Sequence, residues 1–78
     1  MNKEDDMENE IRILQFLSDN GGRCTGVEFR LFDTGEVQLA TYLIPLAHRG
    51  MVDHEKEGTE DEEIKLTKNG KRYLEEET

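Results

Sequence analysis

Two short local patterns constrain this chain more than its composition does. Thr25-Gly26-Val27-Glu28 and Asp33-Thr34-Gly35-Glu36 each place a Thr or Asp three residues before a Glu. At that spacing the first side chain accepts from a free amide of a starting helix, and the Glu reaches back to the amide of the capping residue. Two such boxes, eight residues apart, predict two short helices joined by a tight turn. The first would use Val27, Phe29 and Phe32 as its apolar members, and the second would run from Glu36 to about Arg49.

The segments on either side complete the pattern. From Met7 the apolar spacing is helical, with Met7, Ile11, Leu14 and Leu17 on one stripe and Ile13 and Phe16 widening it. That width exceeds what one core-facing side needs, so the flank is expected to cover the C-terminal helix or a second copy of the chain. Asn20-Gly21-Gly22 ends this first helix. On the helix from Glu36, Leu39, Leu43 and Leu46 fall on one side, with Tyr42 and Ala47 beside them. Pro45 removes the bond to the Thr41 carbonyl, which bends that helix or breaks it into a late-starting piece. Met51–Lys56 reads as a strand, 57–62 as a hairpin tip, and Glu63–Thr67 as the returning strand with Ile64 and Leu66 on one face. Thr67 then caps a last helix to about Glu75. The expected organisation is an acidic disordered leader (1–6), one α+β domain (7–75) and an acidic tail (76–78).

Consecutive short helices in this order form a helix-turn-helix, and the hairpin that follows adds a wing. Leu46-x-x-Arg49-Gly50-Met51-Val52 and Leu66-Thr67-x-x-Gly70-x-x-x-Leu74 strengthen the comparison. With these motifs, residues 7–75 resemble the winged-helix (winged helix-turn-helix) superfamily of small transcription regulators, MarR-like and PadR-like repressors among them. The resemblance implies a three-helix core with a β-hairpin wing and a C-terminal helix. It also implies a DNA-binding regulator whose third helix enters the major groove and whose wing reaches a neighbouring groove or phosphate. Carried onto this chain, Gln38, Thr41, His48 and Arg49 would face the groove, and Lys65, Lys68, Lys71 and Arg72 would meet phosphates. Gly50 would take the left-handed conformation that ends a helix, and Gly70 would let the last helix approach the hairpin closely. Both motifs serve the fold, so they speak for fold more strongly than for function.

Charge opposes the DNA reading. The net charge is −9; residues 55–63 carry −5, and only residues 64–74 are positive, at +4. Duplex binding draws on phosphate neutralisation, and base reading favours Arg, Lys, Asn or Gln. The face of the third helix opposite its leucines holds Val37, Gln38, Ala40, Thr41, Ile44, Pro45 and His48, without Lys or Arg before Arg49. Apolar residues rimmed by polar ones mark a protein interface more often than a groove reader. The reading placed first is therefore a protein–protein contact face of Val37, Thr41, Ile44, Pro45 and His48. Glu57, Glu60, Asp61 and Glu62 of the wing would steer a basic protein partner toward it. Duplex DNA is the alternative partner, and a homodimer fits the wide first helix.

Other chemistries find little support. Cys24 is alone, which excludes an internal disulfide; it reads as a small buried hydrophobe, with redox sensing as the sharper option. His48 and His54 lack a completing ligand pattern, and the acidic tip lacks calcium-loop spacing, so no metal is expected. The sole Ser, Ser18, has no recognisable base nearby, and Gly21-Gly22 is not a phosphate cradle. A non-enzymatic, cofactor-free, cytoplasmic protein is the expectation, since no signal-peptide pattern and no apolar run of about 20 residues occurs.

Overall fold

The computed structural model describes the backbone of residues 3–78 and the side chains from Asp6 onward. The fold is α+β. Helix α1 (Lys3–Asp19) leads to strand β1 (Arg23–Thr25) and helix α2 (Gly26–Phe32). A 3₁₀ turn (Leu39–Tyr42) then feeds directly into helix α3 (Leu43–His48). Strands β2 (Val52–Glu55) and β3 (Glu63–Leu66) form a hairpin, and helix α4 (Lys68–Glu77) closes the chain. The sheet is antiparallel in the order β1-β3-β2. Cys24 and His54 both stand opposite Ile64, and Val52 stands opposite Leu66. The strand period of two therefore gathers Cys24, Val52, His54, Ile64 and Leu66 on one face, and puts Arg23, Asp53 and Lys65 on the other.

The core lies between that face and the helices. Ile13, Leu14 and Leu17 of α1, Leu46 of α3, and Val52 and Ile64 of the hairpin are the innermost side chains. Leu39, Tyr42 and Leu43 are buried with them, as their shared helical face predicts. On α1 the buried stripe is rotated from the expected one. Ile13, read as a flank, is fully enclosed, whereas Met7 is exposed. The partly buried flank of Ile11 and Phe16 meets α2, where the Phe16 and Phe32 rings stack at 4.1 Å. Helix α4 also packs on α1, so part of the wide face is covered from within the chain. Val27, expected as an apolar member of the α2 packing, is exposed instead; Phe29 alone on that helix is fully buried among the apolar side chains.

Three boundaries differ from expectation. Residues 3–6, read as part of a solvated leader, continue α1, and Asp6 accepts a 2.9 Å hydrogen bond from the Tyr42 hydroxyl. At the other end, Glu76 and Glu77 complete α4 instead of forming a tail, with Thr78 donating to the Leu74 carbonyl at 2.6 Å. The third helix does not start at Glu36. The Asp33 carboxylate spans a longer loop and accepts from the amides of Leu39 (2.8 Å) and Ala40 (3.1 Å), capping the 3₁₀ turn. Regular helix begins only at Leu43, which places Pro45 in its first turn, where an amide has no intrahelical partner to lose. The outcome is the late-starting helix.

Local signals held elsewhere. The Thr25–Glu28 capping box is complete in both directions, and Thr67 caps α4 by accepting from the Gly70 amide at 3.1 Å. Gly50 takes a left-handed φ of +74° at the end of α3. At Gly70 a Cβ would run into the Met51 carbonyl oxygen, so only glycine lets α4 lie this close to the start of the hairpin. The β1 strand was not anticipated; three residues are too few to display an alternation.

Candidate functional site: the cleft between α2, α3 and the hairpin tip

The residues singled out on the third helix divide in two. Thr41, Ile44, Pro45 and His48 are all exposed and follow helical spacing on the outer side of the 3₁₀–α3 unit. Ile44 is 63% exposed, in the range of Val27 (60%) and Leu31 (73%) on α2. Val37 does not join them: the loop before the 3₁₀ turn folds it against the core. Thr41 directs its hydroxyl to the Gln38 carbonyl at 2.8 Å, and the Gln38 side chain is exposed.

Beside Ile44 the surface dips into a cleft of about 230 Å³. Phe29, Leu43, Ile44 and Ile64 give it apolar walls, and Arg30, His54, Glu57 and Glu62 give it a polar end. Glu62 organises that end. One carboxylate oxygen accepts from His54 Nε2 at 2.6 Å, and the other faces the Arg30 guanidinium at 3.5 Å. The Gly26 amide donates to the Glu62 carbonyl at 3.1 Å, fixing its backbone against the start of α2. A Cβ on Gly26 would collide with the Glu62 carboxylate, so the glycine makes room for it. Glu62 is thus not the free steering charge expected of the tip; its side chain is only 12% exposed and folded back under the hairpin. Glu57, Glu60 and Asp61 are exposed and form no ion pair among the described residues.

The basic residues assigned to DNA are scattered. Arg49 turns inward, donating to both Glu10 carboxylate oxygens at 2.8 and 2.9 Å, with its guanidinium 5.3 Å from the centre of the Tyr73 ring. The hydrogen bonds from Glu10 hold that guanidinium above its ordinary pKa, against the lowering effect of burial. Lys65 projects from the far side of the sheet between Glu55 (3.3 Å) and Glu63 (3.5 Å), whose carboxylates raise its pKa, Glu55 foremost. Lys68, Lys71 and Arg72 are exposed without ion pairs among the described residues. Lys68 and Lys71 share a second cleft of about 320 Å³ with Ser18, Gly21 and Gly22, at the junction of α1 and α4.

Two features escaped the sequence reading, and a third, the burial of Cys24, follows it. Asn9 and Glu10 are buried polar residues on α1, partnered by the Tyr42 hydroxyl (3.2 Å) and Arg49. The His54–Glu62–Arg30 grouping joins residues from β2, the hairpin tip and α2. Their only sequence signal was an acidic residue two before Ile64, on the face that alternation turns inward. Cys24 lies in β1, buried opposite Ile64. Burial, followed by the carboxylates of Glu28, Glu63 and Glu62, pushes its thiol up to about 11. At neutral pH it is a protonated core group, the reverse of what a redox sensor needs.

Among the described residues no three His, Cys, Asp or Glu side chains gather as a metal site, and no helix is long and apolar enough to cross a membrane. Comparisons with protein-family models, curated proteins and solved structures found no match to this chain.

Proposed function

We propose that this chain is a small winged-helix regulatory protein that acts through protein–protein contact, using α3 and the tip of the β2–β3 hairpin. The observation that carries the reading is Ile44, exposed on α3 beside an apolar-walled cleft that the Glu57 carboxylate also lines without an ion pair among the described residues. Thr41, Pro45 and His48 extend that face, and no Lys or Arg interrupts it. Loss of Arg49 to Glu10 and of Lys65 to Glu55 and Glu63 removes two of the cations on which a groove-and-phosphate mode would draw.

Lys68 and Lys71 favour a second reading. They stand together at the α1–α4 junction and supply a small phosphate-contacting patch for a DNA-binding regulator. They belong to α4 and not to the exposed face of α3.

The two readings part in a capture experiment with three baits: the wild type, Ile44→Asp, and Lys68→Glu with Lys71→Glu. A partner protein retained by the wild type and the lysine variant, but lost by Ile44→Asp, supports the contact face. Retention by Ile44→Asp refutes it. Because Ile44 is largely exposed, its replacement is expected to leave the circular dichroism spectrum and the melting temperature nearly unchanged.

A further inference from the structure

We propose that the cleft between α2, α3 and the hairpin tip receives an arginine side chain from an extended segment of a partner protein, with an aliphatic neighbour of that arginine lying against Ile44. This rests on the protein-contact reading and names the chemistry of the partner.

The cavity is amphipathic in its lining. Phe29, Leu43 and Ile64 offer apolar surface to an alkyl stem, and Glu57 and Glu62 offer carboxylates to a cationic head. Arginine and lysine both combine a buried stem with a charged end. Arginine alone brings a planar fork that reaches two carboxylate oxygens while shedding water at lower cost.

The protein's own arginine already meets this carboxylate. Its own Arg30 guanidinium rests on Glu62 at 3.5 Å, longer than a well-formed charge-assisted bond, and the Arg30 side chain is 68% exposed. Such a contact is weak and readily exchanged. The acceptor itself is fixed: His54 holds one Glu62 oxygen at 2.6 Å, and the Gly26 amide holds the backbone. An incoming guanidinium therefore finds an oriented carboxylate that need not be ordered on binding. Glu57 lines the same cleft, while Glu60 and Val27 line the adjoining hollow beyond Arg30, so charge and apolar surface continue along the path of an extended segment. The −9 net charge of the chain steers a cationic segment toward it and phosphate away.

The test uses the full chain, ¹⁵N-labelled, titrated with the peptide acetyl-Gly-Leu-Arg-Leu-Gly-amide and with versions carrying Lys, Gln or Glu in place of Arg. Two-dimensional ¹H–¹⁵N NMR reads the position and affinity of each. The Arg peptide is expected to shift the amides of Gly26, Arg30, Ile44, Glu57 and Glu62 saturably. The Gln peptide should bind about tenfold more weakly, the Lys peptide in between, and the Glu peptide least. Glu62→Gln should weaken the Arg peptide by a similar factor. Arg30→Gln should strengthen it about twofold by removing the internal competitor; this variant leaves the His54–Glu62 pair in place and serves if Glu62→Gln fails to fold. Equal binding of the Arg and Gln peptides at this cleft would overturn the arginine assignment. So would the absence of shifts there with every peptide, or a tighter grip by the Glu peptide. The contact-face reading fails separately, through retention of the captured partner by Ile44→Asp.

Discussion

Replacing Arg49 by Met tests whether this residue clamps the fold or contacts a ligand. The substitution keeps an unbranched stem over Tyr73 and removes the two hydrogen bonds to Glu10, at 2.8 and 2.9 Å. Glu10 is 10% exposed in its side chain, so it would be left as a nearly buried carboxylate without its cation. Hydrogen bonds to charged groups contribute about 1.5–3 kcal/mol net. The Arg49 side chain is 42% exposed, which places the expected loss toward the lower part of that range, about 2 kcal/mol. For a domain of this size that lowers the melting temperature by about 8–16 °C. Thermal and urea unfolding followed by circular dichroism measure it. Adding Glu10→Gln to Arg49→Met should restore part of the stability, because the stranded charge is gone; a double-mutant cycle would show about 1–2 kcal/mol of coupling. A loss below about 0.5 kcal/mol with no coupling would refute the clamp and return Arg49 to the list of ligand contacts.

Gly70→Ala should destabilise by about 2 kcal/mol in spite of the better helix propensity of alanine, because its Cβ meets the Met51 carbonyl oxygen, itself held by the Thr67 amide at 3.1 Å. Gly35→Ala, where nothing lies within 4 Å, should be neutral or stabilising by up to about 1 kcal/mol, and equal behaviour of the two in urea unfolding would contradict the packing argument. Asp33→Ala removes the acceptor for the Leu39 and Ala40 amides and should cost about 1–2 kcal/mol; an unchanged midpoint would show that water replaces the cap without penalty. The Cys24 thiol is raised from 9.0 to about 11 in the fold, so its contribution is complete below pH 9 and is lost as pH climbs toward 11, a decline of about 2–3 kcal/mol. Cys24→Ala should lack that part of the alkaline decline, and identical pH profiles for the two proteins would refute the assignment.

What was legible in the sequence was local. The Thr25–Glu28 box and the Thr67 cap need only residues three apart, and both formed as read. The Asp33–Glu36 spacing is the same signal with a different outcome. There, Leu39, Tyr42, Leu43 and Leu46 must all reach the core, and Pro45 is accommodated most cheaply in a first turn. Tertiary packing thus moved the helix start and made Asp33 a more distant cap. The site was less legible because its defining contacts are non-local. Glu10 and Arg49 are 39 residues apart, and Arg30 and Glu62 are 32 apart. Counting charges along the chain treated Arg49 and Lys65 as available cations and Glu62 as a free anion. Arg49 and Lys65 are paired within the fold, and Glu62 is oriented by His54 with only a long contact to Arg30, which charge counting does not reveal. The exposed Thr41–Ile44–Pro45–His48 face was readable, since it follows from where the leucines must point.

The most direct test of the central claim, that this chain works by protein contact and not by binding a nucleic-acid backbone, is a titration of a labelled mixed-sequence duplex followed by fluorescence anisotropy, at low and then near-physiological salt. The account predicts no rise in anisotropy at either salt concentration. A rise at low salt that falls steeply as salt increases, and that disappears when Lys68 and Lys71 are replaced by Glu, would show several phosphate contacts and contradict it.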